Sequence, residues 1–319
     1  MEERPCKRTR LIDSDEHNIQ CGSRGHCYGQ IHIGGNATVQ LGDRNVERDS
    51  SPKDAETVTA ARAKREKEEL ENEKAKLKKE RFDSLLALLS FGRMQFRVNN
   101  VKRAMLSTCE WLFEHPAFRK WYDISESSDT SGFLWIKGKP GSGKSTLMKA
   151  TLEWIERNAS KERNVIPFFF HARSTLLEKT PLGLYRYLVH HLLSVYPPLR
   201  DVFLDRFRWK DPRTAGDSWT KEELQEFLFE SIEKKILTSF YMLVDALDEV
   251  QYDEDVRDMI EFLVDLIDRA SMAGCQMQLC LSSRHYPHVS IGKGLELVVE
   301  DQVEHAHDID IYVGQRLKC

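Results

Sequence analysis

Three carboxylates follow directly on an apolar run in the stretch YMLVDALDEV, residues 241–250. The acids are Asp245, Asp248 and Glu249, and the residues before them have the composition of a buried strand. A buried charge without a partner is costly, so this cluster needs either open water or a cation with hydrogen-bond donors. The rest of the chain must supply that partner.

A second stretch, GKPGSGKST, follows the apolar run FLWIK (133–137) and precedes a helical pattern. It matches the phosphate-binding loop G-x-x-x-x-G-K-[ST], in which glycines let backbone amides wrap around phosphate oxygens. Lys144 is then expected to reach the β- and γ-phosphates, and Ser145 to bind Mg²⁺. An ordinary glycine-rich turn is the alternative, which the flanking strand and helix disfavour. The expected nucleotide-binding residues are Gly138, Lys139, Pro140, Gly141, Ser142, Gly143, Lys144, Ser145 and Thr146.

The three acids can therefore face a phosphate-bound magnesium ion. Asp245, at the carboxyl end of its strand, has the placement of a Walker B metal ligand and is expected to act through water, alongside Ser145. Asp248 and Glu249 are candidate catalytic residues that orient or deprotonate the water attacking the γ-phosphate. The alternative is that DALDEV only begins a helix with solvated acids.

A third stretch, LCLSSRHYP (279–287), is an apolar run that ends in Ser282, Ser283 and Arg284. A strand ending in this way places a fixed cation at the carboxyl edge of a parallel sheet, where it can sense a γ-phosphate. Arg284 is therefore a third candidate catalytic residue. The alternative is a surface arginine in a turn before proline.

The composition disfavours several classes of protein. The 319 residues suffice for one large α/β domain with appendages. A formal net charge of -4 gives no reason to expect a nucleic-acid partner. No apolar run approaches the roughly 18–20 residues that span a bilayer, so neither a signal peptide nor membrane insertion is expected. Seven cysteines without a C-x-x-C pair suit a reducing compartment, and we expect a cytoplasmic protein.

Composition also divides the chain into four parts. Residues 1–55 are polar and glycine-rich, which predicts a flexible tail. Residues 56–81 are dense in Glu, Lys and Arg, and their spacing favours a solvated spacer helix, with a weak coiled-coil partner helix as the alternative. Residues 82–130 predict a helical linker, and residues 131–319 predict the main domain.

Apolar runs alternate with longer helical patterns in the last of these parts, and this alternation predicts a parallel sheet covered by helices on both faces. The predicted strands are 133–137, 165–172, 240–244, 278–283 and 295–299. The predicted helices are 144–158, 181–195, 221–237 and 255–272.

Five stretches in order resemble a fungal NACHT domain, the signal-transducing NTPase module of NOD-like receptors. They are TCEWLFEHPAFRKWYD, FLWIKGKPGSGKSTLMK, MLVDALDEV, LCLSSRHYP and VVEDQVEHAHDIDIYV, and the likeness covers roughly residues 85–319. It implies an α/β fold of the P-loop NTPase class, a three-layer sandwich around a five-stranded parallel sheet. The strand before Arg284 is expected between the strands that carry the P-loop and Asp245. Residues 97–104 resemble the linker that precedes the P-loop in the family, where it helps to cover the base.

The stretch IHIGGNATVQLG, within residues 29–43, resembles fungal amyloid signalling motifs. Ile31, Ile33, Val39 and Leu41 alternate along it and predict a dry face in stacked β segments. In such receptors the motif templates the same fold in a cell-death effector, so an effector partner is expected here. A chance β-prone patch in a disordered tail is the alternative.

The resemblance implies a switch in innate immunity or heterokaryon-incompatibility-type cell death. ATP or GTP is expected to bind with Mg²⁺, ADP or GDP to mark the resting form, and slow hydrolysis to control self-oligomerisation. One departure from the family is that the chain stops at GQRLKC, before the usual winged helix and repeats, so we expect a core truncated at its C-terminus. The alternatives are an adaptor with little or no turnover, or a metabolic P-loop kinase, whose lid arginines are not apparent.

Overall fold

The protein is described by a computed structural model in which the chain divides into two compact units, residues 1–71 and residues 72–319. The segment predicted as a helical linker (82–130) falls in the same unit as the predicted main domain. The structure describes residues 20–21, 27–33, 37–41, 52–92, 94–123, 132–160, 163–213, 219–285 and 294–317.

The described residues of the first unit include three short antiparallel strands, β1 (Gln20–Cys21), β2 (Cys27–Ile33) and β3 (Ala37–Leu41). In the β2–β3 pair Ile31 lies opposite Val39. Because residues alternate between the faces of a strand, this register puts positions 31, 33, 39 and 41 on one face. Stacking between chains, which the amyloid-like motif requires, stays a prediction. Residues 52–55 of the predicted flexible tail belong to the helix that begins at Pro52, and the remainder of that tail lies outside the described residues.

Helix α1 (Pro52–Leu89) is much longer than the predicted spacer and does not end at residue 81. Its charged part carries exposed i,i+4 pairs such as Arg62–Glu66 at 2.8 Å and Lys67–Glu71 at 4.0 Å, each worth a few tenths of a kcal/mol. Further on, Phe82, Leu85 and Leu89 are buried in the core. The helix therefore continues while its surroundings change from solvent to protein.

The second unit is built on a sheet of five parallel strands in the order β5-β6-β7-β4-β8, which confirms the predicted sheet. Strand β7 lies between β4 and β6, with Trp135 opposite Leu281 and Met242 opposite Leu279. All carboxyl ends therefore meet at one edge. The strands are β4 (Phe133–Lys137), β5 (Asn164–Phe169), β6 (Ser239–Asp245), β7 (Gln276–Ser283) and β8 (Leu295–Val298).

Helices cover both faces of this sheet, which confirms the three-layer sandwich. Alternate residues of β4 enter different hydrophobic cores, with Trp135 in one and Ile136 in the other. The helices are α2 (Phe96–Asn100), α3 (Trp111–Glu114), α4 (Pro116–Tyr122), α5 (Lys144–Asn158), α6 (Pro181–Val195), α7 (Leu199–Arg206), α8 (Lys221–Glu233), α9 (Asp253–Ala273) and α10 (Val303–Leu317).

The described residues of this unit also contain short 3-10 helices at Leu176–Lys179, Leu247–Glu249 and Val299–Asp301. The last two follow β6 and β8 at the carboxyl edge of the sheet, so they bring further acidic residues to that edge. Among the described residues, no helix combines the length and the apolar character needed to cross a bilayer.

Candidate functional site

The loop between β4 and α5 has a backbone that requires its glycines. Gly141 and Gly143 have φ values of +78° and +82°, in the left-handed region that side chains disfavour. At Gly138 an added Cβ would lie 2.8 Å from both the Glu300 Oε2 and the Ser142 Oγ atoms. Helix α5 begins immediately after this loop, at Lys144. Closely wrapped backbone before a helix N-terminus is suited to hold an anion.

The Lys144 side chain folds back over this loop. Its Nζ donates hydrogen bonds to the carbonyl oxygens of Gly138 and Lys139, both at 2.8 Å. Burial lowers the pKa of the Lys144 ammonium, and the negative charges of Asp248 and Asp245 act in the opposite direction. The charges of Asp245, at the end of β6, and of Asp248, shortly after it, therefore act on the lysine of the loop.

Asp245 is the last residue of β6 and is fully buried. The Ser282 hydroxyl, from the neighbouring strand β7, donates a hydrogen bond to its Oδ1. Burial raises the pKa of Asp245, while the hydroxyls of Ser145 and Ser282 act to lower it. Its Oδ2 is buried without a hydrogen-bond partner in the described part of the chain. An orphaned carboxylate oxygen beside a serine hydroxyl fits a hard cation such as Mg²⁺, which takes oxygen ligands.

The chain turns sharply after Asp245. Ala246 has a left-handed backbone (φ 60°, ψ 50°), which is strained for a residue with a side chain, and its N–H donates to the Ser282 Oγ at 3.1 Å. The turn leads into the 3-10 helix that carries Asp248 and Glu249. Ser282 therefore fixes both the metal-ligand candidate and the turn that presents the next two acids.

Asp248 binds Arg284 through both of its carboxylate oxygens. The Arg284 Nε lies 2.7 Å from the Asp248 Oδ2, and the Arg284 backbone N–H donates to Oδ1 at 3.0 Å. The arginine is half exposed, while the aspartate is largely buried. Asp248 follows β6 and Arg284 follows β7. The structure thus brings two of the three candidate catalytic residues into contact beyond the ends of neighbouring strands.

Glu249 is held by two other segments. The Arg97 Nη2 donates to its Oε1 at 3.3 Å, and the backbone N–H of Ala172 donates to its Oε2 at 2.8 Å. Both donors lie beyond the ends of the sheet strands, Arg97 in α2 and Ala172 shortly after β5. The carboxylate is therefore held by these two donors, and its charge acts to raise the pKa of Asp245.

Glu300 braces the loop from the other side. Its Oε2 accepts the backbone N–H of Lys139 at 3.2 Å, and its Oε1 lies 2.5 Å from the His285 Nε2. Burial acts to raise the pKa of Glu300, but these hydrogen bonds outweigh it and hold the pKa below its ordinary value. The same carboxylate occupies the space that a side chain at position 138 would need.

Residues 107–284 match the family model described as nephrocystin 3, N-terminal. The chain belongs to the nephrocystin 3 N-terminal family. The match begins just before α3 and ends at Arg284, so it contains every residue predicted for the site.

A curated relative points the same way. The chain is 25% identical over 195 residues to the vegetative incompatibility protein HET-E-1 of Podospora anserina. The alignment covers 60% of this chain and 13% of that protein, so the chain spans a small part of its relative's length. Together with the family match, this relative confirms the resemblance to fungal NACHT-type NTPases. The predicted motif at residues 29–43 lies outside the nephrocystin 3 N-terminal match.

Three contributors to the site were missed by sequence reasoning. The sequence marks Ser282 only as a polar strand end, and it marks Glu300 only as part of the stretch VVEDQVEHAHDIDIYV. Arg97 was assigned to a linker over the base, whereas the structure places it against Glu249. Arg97 and Glu300 also lie outside the nephrocystin 3 N-terminal match, at positions that only the folded chain relates to the loop.

Proposed function

We propose that this chain is a signalling switch that binds ATP or GTP with Mg²⁺ and hydrolyses it slowly. The observation that carries the proposal is the buried, unpaired Oδ2 of Asp245 beside the loop at residues 138–143 and Ser145. Two comparisons support a role in cell-death signalling. The family match contains all of these site residues, and one relative is named for vegetative incompatibility.

Each side chain has a role in this proposal. The loop amides and Lys144 hold the phosphates, and Ser145 and Asp245 hold the metal ion, which when bound neutralises phosphate charge. Asp248 and Glu249 orient or deprotonate the attacking water, and Arg284 stabilises negative charge that develops on the γ-phosphate. Arg284 and Asp248 are already in contact, so the cation is held at the edge where that charge would appear.

The switch would act through assembly. In the proposal, the ADP or GDP form is the resting form, and the triphosphate form oligomerises in the cytoplasm. The output runs through residues 29–43 to a cell-death effector. The β2–β3 register supports this output, because it puts positions 31, 33, 39 and 41 on one face as the stacked motif requires.

Magnesium-dependent nucleotide binding by the intact chain beside its Lys144→Ala variant tests the proposal. Lys144→Ala should weaken binding by about 10- to 100-fold, because it removes charged hydrogen bonds to phosphate. Lys149→Ala, five residues further along α5, is the matched control and should bind like the intact chain. Glu249→Gln should bind normally and lose turnover.

Two results would contradict the proposal. One is the failure of the intact chain to bind any Mg²⁺-nucleotide, and the other is equal affinity in the intact chain and Lys144→Ala. Binding without turnover would instead favour the adaptor alternative, in which the nucleotide site is present and the N-terminal motif carries the signal.

A further inference from the structure

Glu249 is restrained from two directions by groups outside its own element. The Arg97 guanidinium donates to one carboxylate oxygen at 3.3 Å, and the Ala172 amide donates to the other at 2.8 Å. The side chains of Arg97 and Glu249 are 29% and 23% exposed, so the pair is mostly shielded from water. A shielded, charge-assisted pair restricts a carboxylate more than a surface pair does.

Helix α2, which carries Arg97, is held against the rest of the fold by two contacts. Val98 is buried in the core, and the Phe96 ring stacks on the His171 ring with centroids 6.3 Å apart. His171 directly precedes Ala172. The segment that supplies the amide to Glu249 therefore also contacts the helix that supplies the guanidinium.

Arg97 acts on the acid rather than on the phosphate loop. No hydrogen bond or ion pair in the described residues joins it to residues 138–146. The charges that act on the pKa of Lys144 come from Asp248, Asp245, Glu300 and Arg284, and not from Arg97. A change at Arg97 should therefore reach the chemistry through two acids. It acts on Glu249 by direct contact and on Asp245 by charge, since Arg97 acts to lower the pKa of Asp245.

We propose that Arg97 is a positioning residue for Glu249, which it holds with the Ala172 amide in the orientation needed for attack on the γ-phosphate. This inference rests on the proposed function, since it takes Glu249 as the residue that orients or deprotonates the water. A catalytic carboxylate misplaced by about 1 Å can cost 100-fold in rate.

The first experiment measures turnover and Mg²⁺-nucleotide affinity in Arg97→Gln. Turnover should fall by about 10- to 100-fold while affinity stays within about twofold. Arg97→Lys, which keeps the charge, should recover part of the rate. Arg157→Gln is the matched control, because Arg157 lies near the C-terminal end of α5 and donates to the carbonyl oxygen of Glu153 in its own turn. It should leave both quantities unchanged.

A double variant separates positioning from general damage to the fold. In a Glu249→Gln background, Arg97→Gln should cause no further loss of turnover, because the residue it positions is already disabled. An equal loss in both backgrounds would overturn the inference, as would unchanged or increased turnover in Arg97→Gln.

Amide hydrogen exchange at Ala172, without nucleotide, tests the same contact independently of hydrolysis. Arg97→Gln and Glu249→Ala should each speed exchange by about fivefold, since the acceptor is then loosened or lost, and Arg157→Gln should not. If the intact chain binds no nucleotide, the proposed function fails, and exchange alone decides whether Arg97 holds Glu249. Unchanged exchange in Arg97→Gln would overturn the inference.

Discussion

The carboxylate of Asp245 is buried at a cost to folding. One oxygen accepts a hydrogen bond from Ser282, and the other has no donor among the described residues. Burial raises its pKa, which means that the folded chain disfavours the ionised form. A group that is needed for binding can lower stability in this way, and removing it often makes a protein more stable and inactive.

Asp245→Asn should therefore raise the melting temperature of the nucleotide-free chain by about 2–6 °C, equivalent to about 1–2 kcal/mol. The amide keeps an oxygen for Ser282 and carries no charge. Thermal unfolding should also show that the variant is no longer stabilised by Mg²⁺-nucleotide. Asp268→Asn, at an exposed position of α9, is the control and should change neither quantity. A lower melting temperature in Asp245→Asn would contradict this account.

Site residues can be predicted from the sequence when the groups that act together are also close together in the chain. Lys144 and Ser145 follow from spacing within nine residues, because the loop and the helix start are one continuous stretch. Arg97 is 152 residues from Glu249, and Glu300 is 161 residues from Lys139, so no local spacing points to either contact. Their partners are chosen by tertiary packing, which spacing along the chain does not encode.

Two arginines connect helices by binding carbonyl groups at helix C-termini, which lack partners inside the helix. The buried Arg186 of α6 donates to the carbonyl oxygens of Leu88, Leu89 and Ser90, at the end of α1. Arg81 of α1 donates in the same way to carbonyl oxygens just beyond α7. The end of α1 is therefore attached to the core by backbone contacts as well as by its leucines.

Arg186→Met should lower the free energy of unfolding by about 2–4 kcal/mol, because it leaves buried carbonyl oxygens without donors. Urea unfolding followed by tryptophan fluorescence measures this difference. Arg157→Met is the control: Arg157 lies on α5 and bonds only to the carbonyl of its own turn at Glu153, so the change should stay within about 0.5 kcal/mol. A similar small effect at Arg186 would show that water can satisfy those carbonyl groups.

The predicted sheet strands agree with the structure to within a few residues because their apolar runs are bounded by polar turns. The main difference concerns helix α1. The drop in charge at residue 81 predicts a boundary there, whereas the helix continues to Leu89. No glycine or proline interrupts the chain there, and Phe82, Leu85 and Leu89 continue the helical spacing. A change in composition indicates that the surroundings of the helix change. The helix itself ends where glycine, proline or a capping residue ends it.

The two compact units differ in how they are stabilised. Residues 72–319 contain both hydrophobic cores and all the residues of the candidate site. The described side chains of residues 61–71 are exposed, and their ion pairs lie in water. The second unit therefore contains its own cores together with the whole candidate site.

A chain shortened to residues 72–319 should keep its melting temperature within about 2 °C and its nucleotide affinity within about twofold, because surface ion pairs contribute little. Calorimetry and a binding titration measure these quantities. The same chain should no longer form the assemblies that the proposal attributes to residues 29–43, which light scattering would detect. Loss of nucleotide binding in the shortened chain would contradict the proposal that residues 72–319 bind the nucleotide by themselves.

The position of β4 in the sheet has a consequence for synthesis on the ribosome. Its two neighbours are β7 and β8, and Phe133 pairs with Leu279, roughly 140 residues later in the chain. At about 5–20 residues per second, the strand that leads into the phosphate loop waits roughly 7–30 s before either partner exists. During that time its apolar residues are open to chaperones and to other nascent chains. The candidate site can therefore assemble only after translation has passed β7.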